Sequence, residues 1–380
     1  MLRTFQPDLD PASLSETPEQ RQLSDVLAGF LAEACGPEEL RKQSAGPRGY
    51  DPAVWARLAG EIGVHGLAVP EEYGGAGGTF AELAVALRES GRVLYSGPLL
   101  PTVVLAGQAL LLSGDRRACA RWLPGTADGT LTATAAGFLH PAGVTAGHGG
   151  GGWRLRGAAD FVPGGAEADL VLVPARTPGG VRLFACEPAP GTCARTPRRA
   201  LDGTRRQALV EFRDAPGEPV GEEGRAAAVV AEVLDLCRAA LAAEHVGGIA
   251  HALDETLAYV TQRHQFGRPI GSFQAVKHRL ADLLVAAEAA RSAAAYATAC
   301  AASAAPELPV AASAAAVACG TAYRRATAEY VQLHGGIGFT WEHPAHLYLR
   351  RARGDEALFG TADAHRARLA GLLGLTGRPA

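Results

Sequence analysis

The chain has 380 residues, 48% of them hydrophobic and 20% charged, a composition that suits a globular protein with two or three structural units. Its 36 basic and 39 acidic side chains give a net charge of −3 without a long basic stripe, which argues against nucleic-acid binding. The seven cysteines show no C-x-x-C spacing and read as reduced thiols rather than a disulfide frame or a zinc site. No apolar run reaches the roughly 18 residues a membrane helix requires. The opening "MLRTFQPDLDPASLSETPEQRQ" has no signal-peptide apolar region, so a cytoplasmic protein off the membrane is expected.

In chain order, residues 17–123 read as helical. "TPEQRQLSDVLAGFLAEAC" opens with Thr17 as a plausible N-cap and continues with apolar residues at spacings of three and four. Asp51 caps a second helix with Pro52 at its first position. "TFAELAVALRESGRVL" predicts a third helix, and "PTVVLAGQALLLSG" a fourth that is nearly all apolar and therefore buried. "PEEYGGAGG" (Pro70 to Gly78) between them is loop by composition.

From about Gly125 the pattern changes to short, partly alternating runs separated by Gly and Pro turns, the mark of an all-β unit. "HGGGGWRL" within it reads as a hairpin tip, because no helix follows the glycines as a phosphate loop would require. From Glu222 onward four helices are expected, over about 225–262, 271–303, 308–334 and 353–374. The alanine richness of residues 226–330 accords with alanine's helix propensity. Helices, then strands, then a helical bundle make an α+β chain with segments 1–124, 125–221 and 222–380.

"RHQFGRPIGSFQAVKHRLADLL" (Arg263 to Leu284) resembles the first signature of the acyl-CoA dehydrogenase family. "VQLHGGIGFTWEHPAHLYLRRAR" (Val331 to Arg353) resembles the second, and "GLAVPEEYGG" a loop of its N-terminal region. The resemblance covers nearly the whole chain. It implies an N-terminal helical domain, a central β-barrel or sandwich and a C-terminal four-helix bundle.

The chemistry of these residues is compatible with a flavin dinucleotide. Arg263 can fork two donors onto a pyrophosphate, and Gln265 and Phe266 offer an amide and a flat apolar face. Gly335 and Gly336 allow close backbone approach, although a helix C-cap explains one of them equally well. The resemblance implies FAD contacts from Arg263, Gln265, Phe266, Gln274, Gln332, Gly335, Gly336 and Thr361. Phe161, in "ADFVPGG", would lie near the ring, and Arg238 would hold the acyl-CoA. It further implies an oligomer, at least a dimer, and an electron-transfer flavoprotein or another acceptor.

Two departures stand out. Removing the weakly acidic α-proton of an acyl thioester needs a positioned carboxylate. The two family positions for it hold Phe359 and Cys237. Within the chain Glu244, in the apolar stretch "LAAEHVGG", is the best internal candidate, since a buried carboxylate is costly to keep without a role. Asp355 and Glu356 lie close by in sequence, and pairing with the preceding "RRAR" is the default expectation for Glu356. The segment "LTATAAGFLHPAG" also lacks the Glu-Pro and Ser-Asp that the family usually carries there, and Asp363 stands where a glutamine is frequent.

Three readings follow. One is the base-less subunit of a heterotetramer, as in sterol-degrading relatives that this chain resembles in its "LFG…HR" tail. The second is a homo-oligomeric flavoenzyme using Glu244, or altered chemistry, on acyl-CoA or an acyl-carrier thioester. The third is a flavin-free scaffold.

Overall fold

A computed structural model describes residues 9–140 and 143–375. Residues 141–142 of the divergent "LTATAAGFLHPAG" segment and residues 1–8 of the opening stretch lie outside the described residues. The helices before the strands are α1 (Pro18–Ala34), α2 (Pro37–Ala45), α3 (Pro52–Arg57), α4 (Phe80–Arg92), α5 (Gln108–Leu112) and α6 (Arg116–Ala127). The strands are β1 (Ala133–Ala135), β2 (Thr145–Gly149), β3 (Gly152–Pro163), β4 (Leu170–Thr177), β5 (Gly180–Cys186), β6 (Cys193–Pro197) and β7 (Gln207–Val220). Then come α7 (Ala226–Gln262), β8 (His264–Gln265), β9 (Arg268–Pro269), α8 (Gln274–Ala302), α9 (Leu308–His334), α10 (Ala345–Asp355) and α11 (Ala362–Leu372).

The helix starts follow their cap chemistry. Thr17 Oγ1 accepts from the Gln20 amide at 3.2 Å while the Gln20 side chain accepts from the Thr17 amide at 3.1 Å, so two otherwise orphaned donors are satisfied reciprocally. Asp51 accepts from the Ala53 amide at 2.8 Å, with Pro52 pre-set at the first helical position. The apolar run expected as the fourth helix is buried as anticipated, but it opens with wide π turns over Leu100–Gly107 before continuing as α5.

Packing divides the chain into two compact units built from separated segments, residues 42–83 with 96–237, and residues 1–41, 84–95 and 238–380. In the first, β4, β2, β3, β7 and β5 pair in a closed ring, since β5 also pairs back to β4. β1 pairs with β4 and β6 with β7. Its interior is apolar, with Leu155, Val173, Phe184 and Val210 among the fully buried side chains. The glycine run does form a hairpin tip. Gly150 and Gly151 both take positive φ (59° and 85°) between β2 and β3, the backbone a tight two-residue turn demands.

In the second unit α7, from Arg238 on, packs with α8–α11, α1 and the last part of α4. The contact of α4 with α7 depends on absent side chains. A Cβ on Gly91 would lie 2.0 Å from the Glu244 carbonyl oxygen, and one on Gly247 would lie 1.9 Å from that of Arg88. The expected single helix over 353–374 is two helices. Gly360 takes a φ of 114°, which breaks the helix, and Thr361 then caps α11 by accepting from the Ala364 amide at 3.2 Å.

Replacing Gly247 by Ala should therefore lower unfolding stability by about 1–3 kcal/mol, the range for overpacking. Gly29→Ala, whose Cβ would meet nothing within 4 Å, should leave it unchanged or slightly raised. Denaturant midpoints of the two variants check this.

Candidate active site

A cavity of about 360 Å³ lies inside the second unit. Arg238, Leu241, Ala242 and His245, spaced three and four apart, present one face of α7 to it. Gly320, Thr321 and Arg324 of α9 form a second wall, and the run from Asp355 to His365 closes it. Arg238 and Phe359, 121 positions apart, meet here, the arginine Nε donating to the Phe359 carbonyl at 3.2 Å. Phe359 is itself buried, so its backbone anchors the arginine while its ring contributes packing. Thr361 lines the same cavity through the start of α11. Asp363 is paired with Arg366 at 2.7 Å.

The carboxylates around the cavity are engaged. The expectation that Glu244 serves as the base is not met by its placement. Its carboxylate is buried against Arg351 at 2.5 Å and does not line the cavity. An apolar neighbourhood did signal an expensive charge, but a second buried charge, from α10, compensates it. Glu356 is held by Arg353 at 3.1 Å and Arg324 at 3.3 Å. Asp355 accepts from His245 Nε2 at 3.2 Å, with both side chains nearly sealed from solvent and both on the cavity wall. Cys237 is fully buried. The sequence reading missed His245, although its position seven residues after Arg238 already placed it on the arginine's face of α7.

The residues the resemblance assigns to FAD group differently. Arg263 directly follows α7 and makes no ion pair among the described residues. It is followed by the β8–β9 hairpin, whose tip is Phe266 and Gly267 at φ 55° and 76°. Phe266 is 90% exposed, and its ring meets Phe273 edge-on with centroids 6.1 Å apart. Gln265 is exposed within the hairpin and Gln274 is exposed at the start of α8. At the end of α9, Gln332, Gly335 and Gly336 are exposed, and a Cβ on either glycine would meet nothing within 4 Å. The protein's own packing therefore does not require these two glycines, although Gly335 (φ 62°) does end α9.

In the other unit Phe161 is 47% exposed at φ 53°, where β3 shifts register against β7. Positive φ in a bulky residue is strained, and such strain concentrates at functional positions. Two exposed phenylalanines, 161 and 266, carry it here. Within the second unit, an arginine without an ion pair among the described residues, the strained exposed Phe266 and the open diglycine are features a flavin dinucleotide would fit.

The loop carrying the diglycine is held by neutral aromatic stacking. His334 stacks on Tyr259 at 4.2 Å and lies 4.5 Å from His343, whose Nδ1 accepts from the Ala345 amide at 3.3 Å. His251 stacks on Tyr348 at 4.3 Å, nearly parallel. Burial, with Arg92 nearby, pushes His251 down to about 4 despite Asp254, and burial with His334 and His346 does the same to His343.

Two outcomes follow. Arg351→Ala, which strands the Glu244 charge, should cost about 3–5 kcal/mol in denaturant unfolding, and the apolar pair Glu244→Leu with Arg351→Met should recover most of it. Histidines whose folded pKa lies below the unfolded value bind protons more readily in the unfolded chain. Their contribution is complete above about pH 6.5 and lost as pH falls toward about 4. His251→Phe, which keeps the stacked ring without the titration, should flatten the fall of the melting temperature across that window.

Comparison with known proteins places these features. Residues 17–130 match the acyl-CoA dehydrogenase N-terminal domain model and residues 224–373 the C-terminal domain model. The chain is 38% identical over 344 residues to "Acyl-CoA dehydrogenase IpdE2" of Mycobacterium tuberculosis, covering 90% of this chain and 93% of that one. It is 36% identical over 315 residues to that organism's "Acyl-CoA dehydrogenase FadE34", covering 81% of this chain and 40% of that longer one. Among solved structures, a "Tcur3481-Tcur3483 steroid ACAD" variant superposes with a TM-score of 0.84 at 31% identity, covering 94% of this chain and 98% of that one. The "ChsE4-ChsE5 complex from Mycobacterium tuberculosis" gives 0.87 at 28% identity, covering 96% and 100%. The chain belongs to the acyl-CoA dehydrogenase family, whose members are flavoprotein oxidoreductases.

Proposed function

We propose that the chain takes part in FAD-dependent α,β-dehydrogenation of an acyl-CoA thioester as the subunit that lacks the catalytic base in a heteromeric assembly. The observation that carries this reading is Phe359, buried on the cavity wall with Arg238 on its carbonyl, at the position where the family places a carboxylate. Cys237 fills the alternative position, and Glu244 is committed to Arg351. Two of the solved relatives are described by pairs of names, ChsE4-ChsE5 and Tcur3481-Tcur3483, and the latter as a steroid enzyme, which supports an unlike partner and a steroid-type acyl group.

Several exposed residues suit a flavin dinucleotide. Arg263 makes no ion pair among the described residues and can meet a pyrophosphate, Phe266 offers a strained exposed ring, and Gly335 and Gly336 leave room for close approach; in the other unit Phe161 offers a strained exposed ring of its own. Gln265, Gln274 and Gln332 supply amides in the same exposed segments, and Thr361 a hydroxyl at the head of α11. When bound, the flavin supplies the acceptor for the β-hydride. This chain's part is to hold the cofactor and, through Arg238, the thioester, while the proton is taken by a carboxylate of the partner subunit. Electrons then pass to an electron-transfer flavoprotein or another acceptor.

The oligomer has a physical basis in α7 and α8, which are alanine-rich and leave Leu257, Leu284 and Val285 exposed. A helix that shows apolar residues on every side is one that another surface covers.

Expressed alone, the chain should carry little flavin absorbance and no turnover. Co-expressed with the product of an adjacent dehydrogenase gene, it should purify as a yellow complex with activity that depends on the partner's carboxylate. Full flavin loading and full activity from the isolated chain would overturn this reading. A colourless complex would point instead to a flavin-free scaffold.

A further inference from the structure

Three arginines and three carboxylates share the cavity wall, so its formal charge balances. Most of these groups are held by an ionic partner, Glu356 by Arg324, Asp363 by Arg366, and Asp355 by His245. Arg238 is placed differently, because its Nε donates to a neutral acceptor, the Phe359 carbonyl, at 3.2 Å. An opposite charge attracts an arginine over distance, whereas a neutral carbonyl must be presented to it at hydrogen-bond distance and angle. Whatever aims that carbonyl therefore aims the arginine.

The Phe359 C=O shares its peptide plane with the nitrogen and Cα of Gly360, so holding Gly360 fixes the direction of the carbonyl. His365 holds it. Among the described residues of α11 only His365 is buried, and it lines the cavity. A Cβ on Gly360 would lie 3.0 Å from the His365 Cε1 and 3.1 Å from its Nε2. The edge of the imidazole ring thus occupies the space a side chain at 360 would take. Glycine is required twice here, by that contact and by the φ of 114°. The main chain ties the ring to the same turn, since the His365 amide donates to the Thr361 carbonyl at 3.0 Å. A flat ring presents a thin edge to such a slot, and a branched aliphatic chain of similar volume does not.

From this contact we infer that His365 is a positioning residue of the site: its ring seats the Gly360 peptide, the peptide presents the Phe359 carbonyl, and the carbonyl orients Arg238 toward the thioester. The inference rests on the reading that Arg238 holds an acyl thioester, and adds the residue on which that grip depends. His365 acts through Phe359 and Arg238 and not on the ligand itself.

The test is calorimetric titration of the full-length chain, in its assembly, with 3-cyclohexylpropanoyl-CoA and with coenzyme A, which lacks the thioester carbonyl. The unaltered protein should bind the acyl-CoA more tightly than coenzyme A. His365→Ala should weaken acyl-CoA binding about tenfold, the value of one hydrogen bond to a charged group, and leave coenzyme A binding within about twofold. His365→Phe, which keeps a flat ring without the nitrogens, should restore the acyl-CoA affinity to within about threefold of the unaltered protein. Should His365→Ala not fold, His365→Leu, of similar volume without a flat ring, takes its place with the same expectation. An equal change for the two ligands, no change, or a failure of His365→Phe to restore the affinity would overturn the positioning role and leave the acyl-thioester reading standing. Equal binding of the two ligands by the unaltered protein would remove the acyl-thioester reading, and the positioning role with it.

Discussion

The second unit depends on a double clasp between two helices. Consecutive residues of α7, Glu244 and His245, grip Arg351 and Asp355, which lie one turn apart on α10. Both grips are buried, so neither partner can leave without stranding a charge or a polar ring in an apolar interior. This geometry is demanding in a way that hydrophobic contact is not. It fixes the register of α10 against α7 and therefore the starting point of the short turn that carries Phe359 and Gly360. Arg238 on α7 then reaches the Phe359 carbonyl, and a cavity is enclosed.

A carboxylate in the middle of α7 also changes what the helix can do. In an isolated apolar stretch Glu244 looks like a reagent. Against Arg351 it is part of the frame. Its backbone has a second task, since the Glu244 carbonyl lies where any side chain on Gly91 would fall. One residue thus fixes α10 through its side chain and α4 through its main chain. That double duty is reason enough to keep a costly charge without invoking chemistry.

The parts legible in the sequence were those governed by local rules. Thr17 and Asp51 capped their helices because capping needs only neighbours within three residues. The glycines of "HGGGGWRL" made a turn because two positive φ values in succession select glycine. The break between α10 and α11 was less visible. "RGDEALFGTADA" holds two glycines, of which Gly354 lies inside α10 and only Gly360, with a threonine behind it, breaks the helix, so glycine alone did not mark the interruption. Least visible were the pairings across more than a hundred residues, Glu244 with Arg351 and His245 with Asp355. Composition showed that Glu244 needed an explanation, and spacing showed that His245 shared a face with Arg238. Which partner satisfied each was a matter of tertiary packing that no local pattern encodes.

A phenylalanine at position 359 has an electrostatic logic of its own. Arg238 now donates to a neutral carbonyl, and the carboxylates nearest the cavity are bound to Arg324, Arg353, Arg366 or His245. A glutamate introduced at position 359 would enter a wall whose charges already balance and that also carries Asp355 and Glu356, and neighbouring like charges disfavour ionisation. A phenylalanine avoids that conflict and fills the space with packing. The balanced wall and the phenylalanine therefore belong together. Polar groups already engaged with one another can serve recognition, where an acidic residue poised to react would have to be shielded from every neighbour that now lines the cavity.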